Sequence, residues 1–321
     1  MSRASTPGLT LESLPNELLI QILGRLPTRT LLPVTAVSSR FHDVIVRILQ
    51  HRLLLAASLE DQRLMLECYH PSAKSTSPPM YCDYLGTDGL SETTEGEGSL
   101  YEDMRRTGRL GKLAGTYSHF RPLKPETGRR YRPHPAGSPP DPPGGTSTGP
   151  STSVSSTSNW LKPCVSHSVS LDADEPFSQL CTAAHLVRDG PRGGIFRSLI
   201  TVSEGTVRIW RRWLASQAAD TAPGLDDSSA TNGATEGGMS SGPILWIDEK
   251  QRSGIRVRVK EDAWRRPQPI LIRDGEDLAV SYTVDLEELL IRTTHLLIMV
   301  EESLQAQHHH SGQAVVFGSF G

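Results

Sequence analysis

The period of the hydrophobic pattern changes along the chain, and that change limits the fold more than any other feature. Near the N-terminus apolar residues recur every three to four positions, whereas toward the C-terminus they alternate. In residues 15–26, Leu18, Leu19, Ile22, Leu23 and Leu26 fall at helical spacing, with Pro15 tolerated in the first turn and Pro27 ending the run. A second short helix is expected from Leu31, with Thr30 as its N-cap and Pro33 in its first turn. Ser38 caps a third helix, in which Phe41, Val44, Ile45, Ile48, Leu49 and Leu53 form one continuous stripe. Three such helices must bury their stripes against each other or against a partner.

Downstream the period is two. Ile255, Val257 and Val259 alternate with Arg256, Arg258 and Lys260, which predicts a strand with its cations on one face. Residues 270–273, the Asp274-Gly275 pair, and then Leu278, Val280, Tyr282 and Val284 read as a hairpin. Residues 195–202 and 206–213 read as a second pair around Glu204-Gly205. Residues 295–300 show no alternation and fit a central strand covered on both faces, although Leu286, Leu289, Leu290 and Thr293 also fit a helical turn. Several short strands joined by turns predict an antiparallel β-sandwich.

Three stretches lack the apolar residues to pack. Residues 133–158 are almost wholly Pro, Gly, Ser and Thr and read as a disordered linker. Residues 215–242 hold Asp220, Asp226, Asp227 and Glu236 without a Lys or Arg, an acidic insertion in a loop. Residues 72–99 are broken by Pro78-Pro79 and Asp88-Gly89 ahead of a short helix at 100–106. The expected organisation is therefore α+β and multidomain. A tail at 1–8 precedes a three-helix module at 9–55, and a mixed region at 56–132 is open as to whether it joins the β domain. The linker at 133–158 then leads to a β-rich domain at 159–321 with its insertion at 215–242.

Charge sets limits on partners. With 33 Lys and Arg against 36 Asp and Glu, the chain has no global field suited to nucleic acid or an anionic membrane. Residues 1–8 have no apolar core to serve as a secretory signal, and Cys68, Cys82, Cys164 and Cys181 fall at irregular spacings. Reduced thiols in the cytoplasm or nucleus are expected.

The order of short motifs at the N-terminus then narrows the reading. Leu14-Pro15-Asn16-Glu17-Leu18-Leu19, Ile22-Leu23, Leu26-Pro27, Leu31-Leu32 and Val37-Ser38-Ser39-Arg40-Phe41 resemble the F-box pattern over roughly residues 9–53. The resemblance implies a three-helix module that docks on a Skp-type adaptor and, through it, a cullin. The residues it assigns to the adaptor are Leu14, Pro15, Glu17, Leu18, Leu19, Ile22, Leu26, Pro27, Leu31, Leu32, Val37 and Phe41. Thr30 and Pro33 depart from the family, which favours an acidic residue and a helix former at those positions, and leave the second helix's length open. A module this short cannot bury all these side chains in its own core. A helical cap packed on the chain's own sheet would use the same residues.

Such a protein would read an unknown protein substrate with its downstream region. The order of Trp246-Ile247-Asp248, Gln268-Pro269-Ile270-Leu271, Gly275-Glu276 and Tyr282 is similar to the ApaG-type sandwich attached to some F-box proteins, without that family's glycine-rich segment. Arg208, Trp210 and Arg212, with Arg211 and Trp213 beside them, join Arg256, Arg258 and Lys260 as candidates for holding an acidic or phosphorylated degron. Solvated strand faces account for the same cations.

Enzyme readings find little purchase. Residues 108–113 lack P-loop spacing and read as a loop, and Ser166-His167-Ser168 has no oxyanion signature around it. Cys68, His70 and Cys82 lack a fourth zinc ligand, and His308, His309 and His310 read as a polar loop. No catalytic residue, metal or cofactor is expected. The leading function is a substrate receptor of a Skp/cullin/F-box ubiquitin ligase. An adaptor-binding protein without a ligase role, or a β-sandwich interaction protein with a helical cap, stands as the alternative.

Overall fold

A computed structural model describes residues 11–74, 77–91, 99, 108–124, 165–190, 195–221, 242–262, 278–309 and 315–316. The expected linker at 133–158, the helix at 100–106 and the Asp274-Gly275 turn lie outside the described residues, as does 222–241 of the acidic insertion. Three helices open the chain: α1 (Asn16–Leu23), α2 (Thr28–Val34) and α3 (Ser39–Ser58). Leu19, Leu23 and Leu31 meet Phe41, Val44, Ile45, Ile48 and Leu49 of α3 in one core. That core uses the predicted stripe. Ser38 caps α3 through its hydroxyl, which accepts from the Phe41 amide at 3.3 Å.

The second helix differs from expectation at its start. It begins at Thr28 rather than after Thr30, whose hydroxyl instead donates to the Pro27 carbonyl at 2.8 Å. Pro33 therefore sits near the end of α2, where its missing donor forfeits one late bond. The physical reason lies far along the chain, in a carboxylate described below.

Among the described residues ten strands form one antiparallel sheet: β1 (Arg63–Tyr69), β2 (Met80–Thr87), β3 (Tyr117–Pro122), β4 (Val165–Leu171), β5 (Phe177–Asp189), β6 (Ile195–Trp210), β7 (Ile244–Trp246), β8 (Ser253–Asp262), β9 (Val280–Arg292) and β10 (Val315–Val316). Their order is β10-β6-β5-β1-β2-β3-β9-β8-β7, with β4 beside β9. The sheet curls into a sandwich-like, nearly closed barrel, because β6 at Gly205 comes against Ile247 just past β7. Leu64, Leu66, Phe120, Leu186, Val257, Val284 and Leu289 fill its interior. Since they lie between β5 and β9, β1, β2 and β3 supply the middle of the sheet.

Further readings are corrected by these contacts. Glu204-Gly205 is no turn: β6 runs straight through it, paired with β5 along nearly its whole length. A Cβ at Gly205 would stand 2.5 Å from the Ile247 carbonyl oxygen, so the glycine serves close approach of two backbones. β6 stops at Trp210, and Arg211–Thr221 forms a helix, α5, that takes up the first part of the expected insertion. Residues 295–300 are helical, inside α6 (Thr293–His309). Leu296 faces the barrel core and Leu297 joins Val46, Leu53, Leu54 and Ala56 of α3, so a helix covered on two sides looks like a buried strand in sequence. Residues 109–114 form α4 (Arg109–Ala114), held by the buried Arg109 donating to Gln50 of α3 at 3.1 Å. Within 72–99, β2 occupies what reads as broken chain.

Candidate functional site

Each piece of the N-terminal motif has a distinct structural task. Leu14-Pro15 and Leu26-Pro27 both stand at helix starts, with the Pro15 carbonyl accepting from Leu19 and the Pro27 carbonyl from Thr30 and Leu31. Arg40 reaches back from α3 to the Leu14 carbonyl at 2.5 Å and the Asn16 side chain at 3.0 Å, which ties the entry of α1 to α3. Glu17 lies in the first turn of α1, where its charge suits the helix dipole.

The assigned aliphatics divide into two sets. Leu19, Leu31 and Phe41 are buried in the module's own core, and Leu14 is partly buried. Leu18, Ile22, Leu26, Leu32 and Val37 are exposed, with Ile22 and Leu32 each at 48% and Val37 at 65%. Leu18 and Ile22 are four residues apart and so share a face of α1, beside the stripe of the buried Leu19 and Leu23. Pro15, Glu17 and Pro27 are exposed beside them. Leu11 and Ile20, unassigned from sequence, are exposed too; only the surface shows them. Monomeric proteins seldom leave so many aliphatics uncovered in one short module.

The geometry of this face depends on the far end of the chain. Pro27 offers no side-chain cap, so the first donors of α2 need another acceptor. Glu301 of α6 supplies it: the Thr28 amide donates to Oε2 at 3.1 Å and the Thr28 hydroxyl to Oε1 at 2.6 Å. Arg52 of α3 donates to the same carboxylate at 3.1 Å, and its other nitrogen bonds the Gly24 and Leu26 carbonyls at 2.8 and 2.7 Å. The Leu26–Thr28 turn is thereby fixed between exposed aliphatics of α1 and α2.

The strand cations sit differently from the predicted basic face. Arg256 is buried, and its guanidinium bonds Glu288 at 2.5 Å within a cluster that includes His119. Arg258 pairs with Glu287 at 2.6 Å and Lys260 with Asp285 at 2.9 Å, both carboxylates coming from β9. A register shift between Arg256 and Val257 breaks the expected alternation. Arg208 and Trp210 lie on β6 against the Phe177 ring, while Arg211 and Arg212 begin α5. Arg211 spends its donors on the Asp172, Glu175 and Leu278 carbonyls. These cations are therefore largely matched within the fold.

Burial opposes protonation of His119, yet hydrogen bonds to Glu288 and Asp88 and their charges outweigh it and hold the imidazole above its usual range. Its hydrogen bond, ahead of opposing burial and with help from Arg256, holds Glu288 below the usual carboxylate range. His167, on β4, is pushed down by burial. Burial, with Cys181 secondary, pushes the Cys68 thiol up to about 12, and burial raises Cys82 as well. His70 caps a short turn by accepting from the Ser72 amide, and His308 and His309 end α6. No group of three or more metal-ligating side chains occurs among the described residues, and no described helix is long and apolar enough to cross a membrane.

Residues 11–56 match the F-box-like family model. No curated protein and no solved structure matches the chain. The match covers α1, α2 and nearly all of α3, so the chain carries an F-box-like domain, of a class that binds Skp-type adaptors and is typically non-catalytic.

Proposed function

We propose, with an F-box-like domain at residues 11–56 as the premise, that the chain is the substrate-recognition subunit of a Skp/cullin/F-box ubiquitin ligase. The Skp-type adaptor covers Leu18, Ile22, Leu26, Leu32 and Val37, with Pro15, Glu17 and Pro27 at the rim, while Leu19, Leu31 and Phe41 shape the face from beneath. A target is held by the β-rich body, and ubiquitin is transferred by other subunits. The contribution of this chain is proximity.

One observation carries the reading: five aliphatics of the matched motif stay exposed while Leu19, Leu23 and Leu31 close to them in sequence are buried. Covering five half-exposed side chains contributes on the order of 5 kcal/mol before ordering costs, enough for a specific docking face. The attachment to α6 through Glu301 links the adaptor face to the β-rich body. Affinity purification from cells with Leu18→Asp/Ile22→Asp as the comparison tests this. Adaptor and cullin retained by the natural chain and lost from the variant are expected. Adaptor without cullin would replace the ligase role with adaptor binding alone, and neither protein would overturn the proposal.

A further inference from the structure

Where α3 hands the chain to β1, the helical module and α6 leave a groove of about 280 Å3. Its walls are Leu55 and Ala56 of α3 and Leu297, Val300 and Leu304 of α6. Leu297 and Ala56 are buried at its base, whereas Leu55 and Leu304, on separate helices, are 45% and 43% exposed at its mouth. Leu59, also lining it, holds φ 50 in the left-handed region that favours glycine. A leucine is kept there because its side chain packs on the barrel core.

Two polar features say what the groove suits. Glu60 and Asp61 stand exposed on its rim, and Asp61 meets Arg188 at a long 3.6 Å. The groove's own cation, Arg52, is already matched by Glu301 at 3.1 Å. Inside, Gln62 is buried and its amide nitrogen donates to Ser303 at 3.2 Å, yet its amide oxygen has no hydrogen-bond partner.

We infer that this groove receives a segment of the substrate protein that carries an aliphatic side chain next to a Lys or Arg. The volume lies just below the range of small-molecule pockets and fits one or two side chains. The aliphatic side chain fills the space between Leu55 and Leu304, and the cation faces Glu60 and Asp61. An acidic or phosphorylated segment fits poorly, since the rim is anionic and the strand cations of β8 are already paired with β9. The assignment rests on the substrate-receptor reading for the identity of its occupant.

The test uses the full chain purified with a Skp-type adaptor, probed by a display library of random short peptides. Selected peptides should share a Leu, Ile or Val beside Lys or Arg. A synthetic peptide of that consensus should lose about tenfold or more in affinity to Leu55→Asp/Leu304→Asp and to Glu60→Lys/Asp61→Lys, with adaptor binding intact in both. Its affinity should also fall with salt. An acidic consensus, equal binding to both variants, or adaptor binding lost with them would overturn the assignment. A dimer of the natural chain that these variants dissolve would assign the groove to a second copy instead. Because adaptor capture is read separately, its failure in the natural chain counts against the receptor reading and not against the groove.

Discussion

Replacing Glu301 by Ala removes the side chain that caps α2, from a helix more than two hundred residues downstream. Three contacts are lost: the Thr28 amide, the Thr28 hydroxyl and one arm of Arg52. An N-cap contributes about 0.5–2 kcal/mol, and a hydrogen bond to a charged group about 1.5–3 kcal/mol when its partner is left unsatisfied. Arg52 keeps its bonds to Gly24 and Leu26, and water reaches the site in part, with side-chain exposures of 17% and 20% for the ion pair. The net expected loss is about 2–4 kcal/mol, concentrated at the start of α2. Hydrogen exchange reads it directly: the Thr28, Thr30 and Leu31 amides should lose protection on the order of a hundredfold, more than the β1 and β5 amides. Glu302→Ala is the control, since its pair with Arg29 is exposed and worth under about 1 kcal/mol. Equal effects of Glu301→Ala and Glu302→Ala would refute the idea that α6 completes the helical module.

Other perturbations probe the sheet. Gly205→Ala places a Cβ 2.5 Å from the Ile247 carbonyl oxygen, and overpacking of that kind costs about 1–3 kcal/mol, measurable as a lower urea midpoint; an unchanged midpoint would deny the close approach. Arg256→Ala leaves the buried Glu288 to His119 and should cost clearly more than Lys260→Ala, which sits at a half-exposed pair and should cost under about 1 kcal/mol by the same denaturation. Since His119 has a raised folded pKa, its contribution to stability is full below about pH 6.5 and is lost as pH rises through the folded value. The difference in stability between the natural chain and His119→Gln should therefore shrink from pH 6 to pH 9, and a constant difference would contradict the bonded, protonated imidazole.

The sequence was informative where structure is set locally. The Ser38 cap and the Phe41-to-Leu53 stripe each need only their neighbours, and each is found where the pattern puts it. Misreadings arise where distant contacts decide. Thr30 looked like a cap because the real one, Glu301, belongs to another part of the chain. Gly205 looked like a turn because its crowding by Ile247 leaves no trace in the adjacent residues. The 295–300 run looked like a buried strand because α6 is clamped between α3 and the barrel and is apolar on both sides. In the candidate site, the motif names residues without dividing them: Leu31 and Leu32 are adjacent and equivalent in sequence, yet one is wholly buried and the other half exposed.

That division offers the sharpest test. Titration of a purified Skp-type adaptor against the folded chain and against Leu32→Asp should show binding to the first and at least a tenfold loss for the second, with the melting temperature of Leu32→Asp within a degree or two of the natural chain. Undiminished adaptor affinity in a folded Leu32→Asp/Ile22→Asp chain would contradict the account, because the exposed aliphatics would then have no part in docking.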